Sequence, residues 1–247
     1  MQRRWILALL LVAACGAACA GRGLGRQYEY EEEVYLDTDG SATVIVNASL
    51  PALAMLRGLA VPVDPGVRVD RREVRRLYES PVTQVTRVSR PWRRQGRRFI
   101  QIRIDVADIR RLGEAAPFAW TQYRFDTEEG LAVFRQTVGA PPDSPAPFPG
   151  WDGDELVAFR LHLPSRIVYH NAPSKRVERG NILAWEQPLR ERLAGAPVAI
   201  EVRMEPASIL YRTLVLFGLA STFGLTVLAA IVWWVWRKGL DTRTRKA

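Results

Sequence analysis

The chain has 247 residues and a formal charge of +9, from 35 Lys plus Arg against 26 Asp plus Glu, and lysine occurs only at Lys175, Lys238 and Lys246. Both cysteines, Cys15 and Cys19, lie near the N-terminus, so the body of the chain holds no disulfide, and the two histidines, His162 and His170, are too few for a zinc or haem centre. No Gly-x-Ser-x-Gly elbow, Ser-x-x-Lys pair, His-Glu-x-x-His helix or Walker loop is present, so no enzyme, metal or cofactor is expected.

Residues 1–20 have the layout of an export signal: Arg3 and Arg4, the apolar run Trp5 to Val12, then small residues. Two processing readings stand. Val12-Ala13-Ala14-Cys15 fits a lipobox, making Cys15 a lipid anchor, while Ala18-Cys19-Ala20 fits an ordinary cleavage site. A linker, residues 21–27, leads into a domain predicted over residues 28–206.

The domain opens with two strand-like runs, Tyr28 to Leu36 and Ala42 to Ala48, around Asp37-Thr38-Asp39-Gly40, a hairpin signature. The acidic turn lacks the remaining spacing of a calcium loop. Leu50 to Leu59 carries Leu53, Leu56 and Leu59 at helical spacing, and Asp70 caps a second helix, Arg71 to Glu79, whose arginines face away from Val74, Leu77 and Tyr78. Val82 to Ser89 and Phe99 to Val106 alternate as a strand pair. Asp108 to Leu112 reads as a helical turn, and Trp120 to Asp126 and Val133 to Val138 as strands. Ala140 to Gly150 carries five prolines and reads as a surface loop, and Asp152, Asp154 and Glu155 as a solvated turn. Leu156 to Leu163, Arg166 to Tyr169, Ile182 to Glu186 and Pro197 to Met204 complete the strands. The pattern predicts an α+β domain on a mainly antiparallel sheet with a few short helices.

Residues 213–236 form an uncharged run long enough, at about 1.5 Å per residue, to cross a hydrocarbon core of about 30 Å. Trp233, Trp234 and Trp236 mark its end, and the basic tail, residues 237–247, predicts a single-pass protein of the cytoplasmic membrane with its domain outside and its tail in the cytoplasm. Small residues such as Gly218, Gly224 and Ala229 offer a face to another envelope membrane protein.

The feature with a functional flavour is the connection Arg90 to Arg98. Arg90, Arg93, Arg94, Arg97 and Arg98 supply guanidinium groups suited to phosphate, and Trp92 suits a membrane interface, so anionic lipid headgroups are the expected partner. Export and the membrane tether argue against nucleic acid as the target, and none is expected as a partner. The reading is a non-catalytic, membrane-anchored binding module for lipid or an envelope component, with a scaffold subunit of an envelope complex as the alternative.

Val12-Ala13-Ala14-Cys15, the turn Asp39-Gly40-Ser41, and the late Leu163-Pro164, Asn171, Gly180-Asn181 and Trp185 carry a resemblance to the LppM-like family of bacterial envelope lipoproteins. The resemblance implies an exported α+β domain, a C-terminal span and non-enzymatic lipid or glycolipid handling, and supplies no site residues.

Overall fold

A computed structural model describes residues 28–94, 96–141 and 150–244. The export signal, Cys15, the linker, most of the proline loop and the last three residues of the basic tail lie outside the described residues.

Eleven described strands form two mostly antiparallel sheets, with short helices and one long C-terminal helix. The chain begins with β1 (Tyr28–Leu36) and β2 (Ala42–Ser49), paired from Leu36↔Ala42 to Tyr30↔Ala48. The Asp-Gly turn closes as expected: Gly40 takes φ +89°, a conformation that favours glycine, and the Asp39 carboxylate accepts from the Ser41 amide at 2.9 Å. Helix α1 (Leu50–Arg57) starts where Ser49 caps the Ala52 amide at 3.1 Å and stops at Gly58, which is left-handed at φ +62°. Helix α2 (Arg71–Tyr78) starts where Asp70 caps the Arg72 amide.

Then come β3 (Thr83–Val88), a three-residue β4 (Trp92–Arg94) and β5 (Arg97–Val106). Two 3-10 turns, Ile109–Glu114 and Ala116–Phe118, lead to β6 (Thr121–Glu128) and β7 (Leu131–Val138). Beyond the proline segment lie β8 (Leu156–His162), β9 (Ser165–His170), β10 (Ile182–Pro188), the short helix α3 (Leu189–Leu193) and β11 (Val198–Ser208). The larger sheet runs β10-β8-β1-β2-β5-β3 with β4 on β5, the smaller β6-β7-β11-β9, and β1 with β8 is parallel.

One core joins the sheets. Val44, Val46, Ile100, Ile102 and Ile104 from the larger and Phe134, Val138, Val202 and Met204 from the smaller are all fully or almost fully buried. Glu32 stands in the inward row of β1 with Tyr30, Val34 and Leu36, and it is 1% exposed. It is fully satisfied: Oε2 accepts from Arg57 Nη2 at 2.5 Å and Tyr30 Oη at 2.8 Å, and Oε1 from Gln136 Nε2 at 2.9 Å and Tyr123 Oη at 3.1 Å. Arg57 comes from α1 and the last two donors from β6 and β7 of the smaller sheet, so one carboxylate ties the helix and both sheets together. The Arg57 guanidinium lies 4.0 Å from the Trp120 ring centroid and 4.4 Å from that of Tyr30.

Burial raises the phenols of Tyr30, Tyr78 and Tyr123 above their ordinary value. The folded state therefore keeps three phenolic protons that the unfolded chain releases from about pH 10, so this contribution to stability is complete below that pH and is lost above it. An ultraviolet titration should show these three of the seven tyrosines ionising only as the protein unfolds; seven titrating together near pH 10 contradicts the buried cluster.

Strand β11 passes directly into α4 (Ile209–Thr244). Residues 207–212, which the sequence left as a gap between domain and span, are the end of a strand and the start of the helix. The Ser208 hydroxyl accepts from the Tyr211 amide at 3.1 Å, the Pro164 carbonyl accepts from the Ile209 amide at 2.9 Å, and Glu205 binds both Arg166 and Arg212. Ile209–Trp236 is one apolar helix long enough to cross a membrane. Its Thr213, Thr222 and Thr226 hydroxyls donate to carbonyls four residues back, so these polar groups need no water.

Candidate arginine cleft

Two adjoining depressions of about 590 and 440 Å³ lie between the start of α2 and the β3–β4 connection. They share Arg68, Val69 and Arg71; Asp70, Arg72, Arg75 and Val88 complete the first, and Arg90, Pro91 and Arg98 the second. Six arginines thus face one carboxylate, and Asp70 is already engaged as the cap of α2. Among the described residues Arg68, Arg71 and Arg90 pair with no carboxylate, and all three are exposed. Guanidinium groups gathered this way offer paired N–H donors to phosphate or carboxylate oxygens.

The cleft is held from beneath. Arg98 donates to the carbonyls of Pro62 at 2.8 Å and Asp64 at 2.6 Å and also to that of Val67, so it pins the segment before α2 while keeping its charge unneutralised. Arg75 donates to the Val85 carbonyl and lies 3.9 Å from Glu79.

The arginine-rich connection is more ordered than a loop. Trp92, Arg93 and Arg94 pair with Phe99, Arg98 and Arg97, and the Trp92 and Phe99 rings stack at 6.0 Å between centroids. Of the six side chains expected at an anionic surface, Arg90, Trp92, Arg93 and Arg94 are exposed; Arg97 and Arg98 are less so, and donate to the Gly150 and Pro62 carbonyls.

Arg97 is turned inward, only 10% exposed, 3.0 Å from Glu29 and 3.2 Å from Glu155, and donates to the Gly150 carbonyl at 2.6 Å. Glu155 is therefore buried rather than part of a solvated turn; Asp152 and Asp154 remain exposed. Replacing Arg97 with Gln strips two buried carboxylates of their shared cation, and urea unfolding should register a loss of about 2–3 kcal/mol. A loss below about 0.5 kcal/mol would show that Glu29 and Glu155 do not need it.

Sequence reasoning missed Arg68, Arg71, Arg72 and Arg75 as site residues. Three of them were read as the outward face of a thinly buried helix; only the fold reveals that Arg90 and Arg98 stand opposite them. His162 stacks on Tyr35 at 3.8 Å and lies 3.2 Å from Glu33, and His170 ends β9 rather than following it. Among the described residues no three His, Cys, Asp or Glu side chains gather as a metal site.

No protein-family model matches the chain, and no curated protein matches it. Among solved structures it is similar to the NMR structure of the folded domain of LppM from Mycobacterium tuberculosis, at 11% identity and a TM-score of 0.38, over 74% of this chain and 94% of that chain. A likeness that distant leaves the cleft to be read from its own geometry.

Proposed function

We propose that this chain is a non-catalytic, membrane-anchored module that holds its domain outside the cytoplasmic membrane and binds an anionic component of the envelope in the arginine cleft. The carrying observation is the gathering of Arg68, Arg71 and Arg90 without carboxylate partners among the described residues, beside Arg98 fixed by carbonyls. Uncompensated like charges repel in the free protein, and an anion relieves that repulsion while accepting several N–H donors. The apolar helix supports the anchor, and the basic tail after Trp236 supports the orientation.

Calorimetry of the full chain in zwitterionic nanodiscs with inorganic pyrophosphate tests the cleft. Binding should weaken as salt rises, and the combined Arg68→Gln, Arg71→Gln, Arg90→Gln variant should bind at least about tenfold more weakly, or 1.4 kcal/mol. Equal affinity in the triple variant removes the cleft from the account.

A further inference from the structure

The strand registers fix which end of the domain the cleft occupies. Helix α4 leaves from the C-terminal end of β11, where Ser208 pairs with Ser165 and the Ile209 amide meets the Pro164 carbonyl. Only Leu163 and Pro164 separate that point from His162, the last residue of β8. From His162 the registers cross the larger sheet at the same end: His162 with Tyr35, Leu36 with Ala42, Ala42 with Val106, Val106 with Thr83. The cleft and the β4 turn lie at the other end, where β3 finishes at Val88 and β5 begins at Arg97. The ten residues of β5 separate the two ends by about 30 Å at about 3.4 Å per residue. Helix α4 does not fold back along the domain, because none of its apolar window is buried against it.

The surface at that remote end has an amphipathic make-up. Trp92 is 40% exposed beside exposed Arg90, Arg93 and Arg94, and Val67, whose carbonyl binds Arg98, is 48% exposed. A soluble polyanion calls for the charges alone. An anionic bilayer surface also accommodates an indole and an aliphatic side chain at headgroup depth.

We propose that this remote tip docks on a second, anionic membrane facing the one that carries α4, so that the protein bridges two bilayers rather than gripping headgroups of its own. The inference rests on the anion-binding reading of the cleft and adds where the anion comes from. The arginines engage lipid phosphates of the opposing leaflet while Trp92 and Val67 enter its interface.

Full chain reconstituted, domain outward, in phosphatidylcholine vesicles is mixed with labelled acceptor vesicles, and co-flotation is measured. Acceptors containing phosphatidylglycerol should be captured at least several-fold above pure phosphatidylcholine acceptors. Capture should fall to that background in the Arg68→Gln, Arg71→Gln, Arg90→Gln variant and drop substantially in Trp92→Ala, whose exposed ring makes it a milder probe of folding; an unchanged thermal transition in each identifies the loss as one of docking. Pyrophosphate binding without capture overturns the bridge and leaves the anion-binding reading standing. Loss of both overturns that reading as well. Capture of soluble polyphosphate but not of vesicles, or vesicle capture that survives both variants, overturns the assignment of the tip to a membrane.

Discussion

Replacing Arg57 with alanine is expected to destabilise the folded domain by about 3–5 kcal/mol, the cost of leaving a buried charge without its counter-ion. The Arg57 and Glu32 side chains are 1% and 0% exposed, so the guanidinium, and not bulk water, compensates the carboxylate's charge in the folded protein. The loss reaches beyond the pair. Tyr30 and Glu32 each lose a donor, and the Trp120 ring loses the cation above it. For a domain of this size the deficit corresponds to a fall in Tm of roughly 6–20 °C, read by calorimetry or circular dichroism. The pair should not be confused with a net source of stability. A double variant, Arg57→Met with Glu32→Gln, removes both charges and should recover a large part of the loss. A single variant that melts within about 2 °C of the parent would mean that the carboxylate takes up a proton, or reaches water, at little cost.

The second large effect concerns the membrane. A version running from Tyr28 to Ser208, secreted with a separate signal, is expected to be released completely by a carbonate wash, which strips peripheral contacts such as those of the arginine tip, and to remain folded. Leu, Ile, Phe and Val at the centre of a spanning helix each contribute roughly −0.3 to −0.6 kcal/mol, so α4 supplies on the order of 5 kcal/mol of insertion free energy. The large apolar side chains from Ile209 to Trp236 are 41–72% exposed and build no part of the core. Their removal should therefore leave Tm nearly unchanged. Truncated protein that stays in the pellet after carbonate washing would mean that another surface of the domain holds it to the membrane.

Much of the fold was legible because local chemistry and tertiary structure agree in particular places. The Asp-Gly turn and the Thr43 to Val46 run place the first hairpin, the alternation of Phe99 to Val106 places β5, and Asp70 caps the helix it was expected to cap. The division into two sheets was not legible, because period-two alternation says which face of a strand is buried and not against what. Strand β4 was hidden for a related reason: Trp92-Arg93-Arg94 is too short and too charged to look like a strand, and it exists by pairing with β5. The buried clusters left only a faint trace. Glu32 occupies an inward position of an alternating strand, a pattern that asks for a buried partner, but nothing local points to Arg57, twenty-five residues on. Of the candidate cleft and the tip beside it, the exposed Arg90 to Arg94 half was readable from charge density, and the Arg68 to Arg75 half needed the fold to bring it alongside.

The seam at Ser208 and Ile209 has a mechanical consequence. With no slack between the last strand and the helix, and with Glu205 bound to both Arg166 and Arg212, the domain of a protein whose α4 crosses the bilayer would act as a lever pivoting at the bilayer surface. If a change in bilayer thickness tilts the helix by about 10°, a tip about 30 Å away swings by roughly 5 Å. Inserting a few glycines at this seam would disconnect the arm from its pivot.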